Sequence, residues 1–165
     1  MYQNETKFYK FNGYNGYHNC REARGGGTSI YVKNNLQQEE IESIYKNYVN
    51  IIGVKLTDFH LNIYAIYRSQ KNKINDFLPK LEEIVTGKNN IIIGDININL
   101  NLKNTNKDIV SYKETVHSNF YKFLNKVRNT RCDKETKTNI DHVILPNKMT
   151  GKVDLQYTPI SDHKK

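Results

Sequence analysis

Residues 90–94, NIIIG, hold an unbroken apolar run, Ile91-Ile92-Ile93, closed by a glycine. A short run with no polar alternation is the pattern of a strand buried on both faces. Such a strand needs cover above and below, so it points to a layered domain. The chain has 165 residues, enough for one domain with a sizeable core.

Further strands are predicted around this run. Residues 28–33 (TSIYVK) alternate and carry β-branched side chains. Residues 49–56 (VNIIGVKL) and 61–68 (LNIYAIYR) flank the turn TDFH and read as a hairpin. Residues 141–145 (DHVIL) form another run, stopped by Pro146 and Asn147. Two helices are predicted. In residues 75–85, Phe77, Leu78, Leu81, Ile84 and Val85 recur at helical spacing. Asp76 is the expected cap, Pro79 falls in the first turn, and Gly87 ends the helix. A second helix over 114–127 would gather Val116, Phe120, Phe123, Leu124 and Val127 on one side. The polar stretch 99–108 reads as a loop. Strands interleaved with helices give an α/β or α+β domain and not an all-β barrel.

The net charge of +8 favours a polyanionic partner, nucleic acid or an anionic membrane surface. Lys, Asn and Ile are abundant throughout, so the charge marks no single segment. Cys20 and Cys132 stand far apart in no ligand-spaced motif. They argue against a zinc site and a disulfide scaffold, and a reducing, intracellular setting is expected. No apolar run reaches the roughly 18 residues of a membrane span. The polar N-terminus does not read as a signal peptide.

Chemistry-bearing residues cluster at strand ends. Asp95 follows the apolar run and Gly94, and Asn97 lies two residues on. In extended backbone both would face one side and could orient a water and a phosphate oxygen. An Asx-turn is the plainer reading of the same residues. Tyr67 and Arg68 close their strand, where a phenol and a guanidinium could meet phosphate. Asp141 opens its strand and could orient an imidazole such as His163. His142 would face away from Asp141 and reads as packing or as support behind the site residues. Asp162 and His163 fall in the last residues, and Glu5 in the first. Glu5 is a candidate magnesium ligand or an ordinary solvated glutamate. Gly25-Gly26-Gly27 lacks the Gly-Lys-Ser/Thr of a P-loop and precedes a strand. It reads as a flexible lead, with Arg21 and Arg24 near a backbone phosphate.

The ordered set Glu5-Thr6-Lys7, Gly16-Tyr17, Arg24 to Gly27, Tyr67-Arg68, Gly94 to Asn97, Thr130-Arg131, Ile140 to His142 and Ser161 to His163 resembles the endonuclease/exonuclease/phosphatase superfamily. Within it, the set is similar to the apurinic-like endonuclease domain of non-LTR (LINE-type) retrotransposons. The resemblance implies a four-layer αββα sandwich of two mixed sheets flanked by helices. It implies Mg²⁺- (or Mn²⁺-) dependent hydrolysis of DNA phosphodiester bonds, the kind that nicks target DNA for retrotransposition. By that resemblance Glu5 and Asp162 hold the metal. Tyr67, Asn97, Arg68 and Arg24 bind or orient the phosphate, Asp95 positions or activates the water, and Asp141 supports His163 at the scissile phosphate. A link to a reverse transcriptase polyprotein and a nuclear location follow from the same likeness.

Two departures accompany it. Glu5 stands almost at the N-terminus, and only Lys164 and Lys165 follow His163. Residues 1–165 are therefore expected to form a single domain of this type lacking its first and last core strands. Such a loss exposes sheet edges. Alternatives to an active endonuclease are a phosphatase of the same superfamily and a non-catalytic nucleic-acid-binding remnant.

Overall fold

The structure is a computed structural model and describes residues 9–20, 27–102, 106–124, 129–132 and 137–156. Its centre is a six-stranded mixed sheet. In chain order the strands are β1 (Tyr14–Cys20), β2 (Gly27–Lys33), β3 (Gln38–Lys46), β4 (Val49–Leu56), β5 (Leu61–Arg68), β6 (Asn90–Asp95), β7 (Tyr121–Phe123), β8 (Arg131–Cys132), β9 (Lys137–Thr138) and β10 (Asp141–Pro146). The central sheet runs β3-β4-β5-β6-β10-β7, while β1-β2 and β8-β9 are separate antiparallel pairs. Among the described residues, only β5 and β6 of this sheet pair in parallel. Their crossover is helix α1 (Ile74–Thr86), and α2 (Lys107–Ser118) follows β6.

The alternation of β4 divides its apolar residues between two cores. Val49 and Ile51 pack beneath α1 and α2 with Ile66, Ile92 and Ile144. Ile52, Val54 and Leu56 face Ile30 and Val32 of β2. Among the described residues this makes three layers of an αββα sandwich: helices, central sheet and the β1–β2 hairpin. Helix α1 contributes Ile74, Phe77, Leu81, Ile84 and Val85 at helical spacing, and Leu81 is wholly buried. Asn47 and Tyr48 both adopt positive φ in the two-residue turn joining β3 to β4. That is the conformation a tight hairpin needs.

Several expectations are corrected. The second helix lies over Lys107–Ser118, not 114–127, and buries Ile109, Tyr112 and Val116. Asn106 caps it by accepting from the Asp108 N–H. Asn119 and then Phe120, at φ +61°, turn the chain, leaving Phe120 exposed. Tyr121 and Phe123 therefore share one face of β7 and enter the core beneath the helices. In α1 the cap is Lys73 without a side-chain bond, Asp76 lies inside the first turn, and Pro79 falls in the second. There its missing N–H removes one i→i−4 bond. Ile93 is 46% exposed, so the run in β6 is not covered on both faces. The hairpin packs over β4 and β5 instead.

Candidate active site

Four residues form a row across the central sheet. Asn50 of β4 pairs with Tyr67 of β5, Tyr67 with Asp95 of β6, and Asp95 with Asp141 of β10. Paired residues share a face. At ordinary strand spacing the row spans roughly 14 Å. It lies on the face opposite the helices, where β5 and β6 end and β10 begins. Asp95 and Asp141 are both half-buried.

Gly94 fixes the spacing of the row. A Cβ there would lie 1.8 Å from the Ile66 carbonyl oxygen and 2.7 Å from its carbon. No side chain fits without prising β5 from β6. The next residue, Asp95, is thereby held level with Tyr67.

After Asp95 the strand stops. Its Oδ1 accepts the Asn97 N–H at 3.0 Å, so the pair does form an Asx-turn. Asn97 has φ +53° and is not extended. The Asp95 carboxylate meets the Asn97 backbone through this turn, and the pleat does not set the two side chains on one face. Asn97 Nδ2 donates to the Arg68 carbonyl at 2.8 Å, tying the turn to the end of β5.

Arg68 is turned inward and is 6% exposed. Its Nε donates to Asn72 Oδ1 at 3.0 Å, Nη1 to the Ile96 carbonyl at 3.1 Å, and Nη2 to the Asn72 carbonyl at 2.5 Å. The charge lies over the Phe77 ring. Burial lowers its pKa, with Asp108 and Tyr112 acting in the other direction. The expected phosphate contact by Arg68 gives way to support of the 95–97 turn from beneath.

The start of β10 is laced just as tightly. Thr130 Oγ1 accepts the N–H groups of Ile140 and Asp141 at 3.0 and 2.9 Å. The Ile140 carbonyl accepts from the Ile96 N–H, and the Asn139 carbonyl from the Leu100 N–H. His142 faces the helices, 1% exposed. Its Nε2 donates to the Asn139 carbonyl at 3.2 Å, which leaves Nδ1 to accept the Tyr112 hydroxyl at 2.8 Å. Burial pushes the His142 pKa down to about 4 and the Tyr112 pKa well up. His142 is a neutral structural group, as its place after Asp141 suggested.

The structure thus brings together Tyr67, Asp95, Asn97 and Asp141. Glu5, Arg24, Asp162 and His163 lie outside the described residues. Asn50, fully buried, was not anticipated. Thr28 Oγ1 donates to Asn50 Oδ1, Asn50 Nδ2 to the Asn19 carbonyl at 3.1 Å, and Asn19 Nδ2 to the Ile51 carbonyl at 2.8 Å. These bonds clamp the hairpin to the first position of the row. An amide inside the apolar strand VNIIGVKL was the signal available.

Carboxylates and amides, without thiolate or neutral imidazole in the row, suit a hard divalent cation. Among the described residues no three acidic, histidine or cysteine side chains gather as a metal centre. No helix among them is long and apolar enough to cross a membrane.

No protein-family model matches the sequence, and no curated protein matches it. Solved structures do. The endonuclease domain of TRAS1, a telomere-specific non-LTR retrotransposon, superposes with a TM-score of 0.69 at 15% identity, covering 93% of this chain and 78% of that one. A mannosyl-6-phosphatase of Bacteroides thetaiotaomicron gives 0.58 at 14% identity, over 93% and 75%. D. rerio TDP2, complexed with single-strand DNA product, gives 0.54 at 13% identity, over 99% and 80%. The chain has the αββα fold of the endonuclease/exonuclease/phosphatase superfamily. Among these folds it closely resembles the TRAS1 endonuclease domain.

Proposed function

We propose that the chain is a divalent-metal-dependent endonuclease that hydrolyses DNA phosphodiester bonds, of the kind that nicks target DNA for a retrotransposon. The in-register row of Tyr67, Asp95 and Asp141 carries this reading. The net charge of +8 supports a polyanionic substrate, and the likeness to the TRAS1 domain supports DNA over a small phosphoester.

Tyr67 would donate its phenol to a non-bridging phosphate oxygen. Asp95, its carboxylate anchored by the Asn97 N–H, would orient the attacking water. Asn97, pinned by the Arg68 carbonyl, would limit how far that water and the phosphate can shift. Asp141 would hold the tautomer of His163, whose imidazole would contact the scissile phosphate. Arg24 would meet a flanking phosphate. Glu5 and Asp162 would hold Mg²⁺ or Mn²⁺. Charge developing on the phosphoryl oxygens would be offset by that cation. Nuclear location and linkage to a reverse transcriptase belong to this proposal.

Supercoiled plasmid and mannose 6-phosphate, each with Mg²⁺ or EDTA, separate the readings. Mg²⁺-dependent nicking without phosphate release is expected. Release of phosphate from the sugar without nicking would transfer the site to the phosphatase reading. Salt-sensitive DNA binding with neither reaction would favour a non-catalytic remnant.

A further inference from the structure

The two faces of the β1–β2 hairpin differ in character. Tyr17, Ile30 and Val32 point to the central sheet. Alternation sends Tyr14, Gly16, His18, Tyr31 and Lys33 the other way. Gly16 pairs directly with Tyr31. A Cβ at Gly16 would lie 2.7 Å from His18 Nε2 and 2.9 Å from Tyr31 Cε1. Only a bare backbone lets these two rings lie down across the strand.

The segment before β1 adds to them. Phe11 meets the Tyr31 ring edge-on at 4.7 Å, and His18 meets it at 5.4 Å. The Tyr31 hydroxyl donates to the Tyr9 carbonyl at 2.9 Å. Phe11 is 56% exposed, Tyr9 43% and Tyr14 42%. These rings line an open cavity of about 660 Å³. Lys10, Asn12 and Asn34 add polar groups to its wall, and among the described residues no acidic one lines it. Lys33 stands beside Tyr14 across the hairpin.

We propose that this outward face of the hairpin is a stacking platform for single-stranded nucleic acid, separate from the Asp95–Asp141 face. Unpaired bases offer flat rings to Phe11, Tyr14 and Tyr31. The amides can meet base edges, and the lysines the backbone phosphates. Aromatic groups with a cationic border are the chemistry that holds single strands. A duplex keeps its base faces stacked inside and cannot use exposed rings in this way.

The test is anisotropy of a fluorescein-labelled oligothymidylate in EDTA, where no cleavage interferes. The expected result is tight binding that weakens as salt rises. Phe11→Ala with Tyr14→Ala should weaken it roughly thirtyfold or more, the loss of two base–aromatic stacks. The melting temperature should not move, since both rings are exposed. Phe11→Trp should retain the affinity, and a duplex of equal length should bind the wild type and the double variant alike. Unchanged affinity in the double variant would overturn the proposal. So would a wild-type dimer, seen by light scattering, that the double variant dissolves, because the face would then serve a second copy. Binding without nicking, or nicking without this binding, tells the platform and the phosphodiesterase apart.

Discussion

Asp95 and Asp141 are register partners across β6 and β10, so two carboxylates rise from one face of the sheet. Like charges directly opposite on a sheet are destabilising, by a few tenths to about 1 kcal/mol. Asp95→Asn preserves the acceptor for the Asn97 N–H and removes one charge. In EDTA it should raise the melting temperature by about 1–4 °C, measured by calorimetry. The same variant should slow Mg²⁺-dependent nicking by roughly a hundredfold or more, in line with the loss of a positioned acid–base group.

Gly94→Ala tests how the row is spaced. Its Cβ would fall 1.8 Å from the Ile66 carbonyl oxygen, a backbone atom that cannot rotate aside. The expected cost is about 3 kcal/mol or more. A fall in melting temperature of roughly 6–12 °C would show it. Hydrogen exchange should localise the loosening to the β5–β6 pairing.

Arg68 acts through the turn above it. Arg68→Lys keeps the charge and loses the planar fork that serves Asn72 and Ile96 together. It should destabilise by about 1–3 kcal/mol and lower kcat with little change in KM. If KM rises and kcat holds, Arg68 meets the substrate directly.

His142 gives the fold a pH dependence of known sign. Its folded pKa is about 4, below the usual 6.5, because burial disfavours the cation. Between those values the unfolded chain binds the extra proton, so stability rises with pH across the window. The contribution is whole above pH 6.5 and is lost as pH falls to 4, roughly 3 kcal/mol in all. His142→Gln should flatten this slope relative to the wild type in melting curves taken from pH 7 to 4.5.

Three members of the row were legible in the sequence as candidates, and less of its frame. β4, β5, β6 and β10 stand out because apolar or alternating runs end at clear stops such as Pro146. Tyr67, Asp95 and Asp141 each sit at the end of such a run. Their common row was not legible, since register depends on which strands pair. β3 was hidden because QEEIESIYK carries the charges of an edge strand. β1 was hidden by its asparagines and Gly16. The false end of the second helix came from Phe120, Phe123 and Leu124, which share helical spacing with Val116. Neither glycine nor proline marks the break at Phe120, where a positive φ makes the turn.

The most direct measurement is nicking of supercoiled plasmid in Mg²⁺ by the wild type, Asp95→Asn and Tyr67→Phe, each first shown folded by its melting curve. The row requires Mg²⁺-dependent nicking by the wild type, lost in Asp95→Asn and slowed roughly a hundred- to a thousandfold in Tyr67→Phe, the range of one lost donor to a charged oxygen. Wild-type rates in both folded variants, or no nicking by the folded wild type, would contradict an active site built on Tyr67, Asp95 and Asp141.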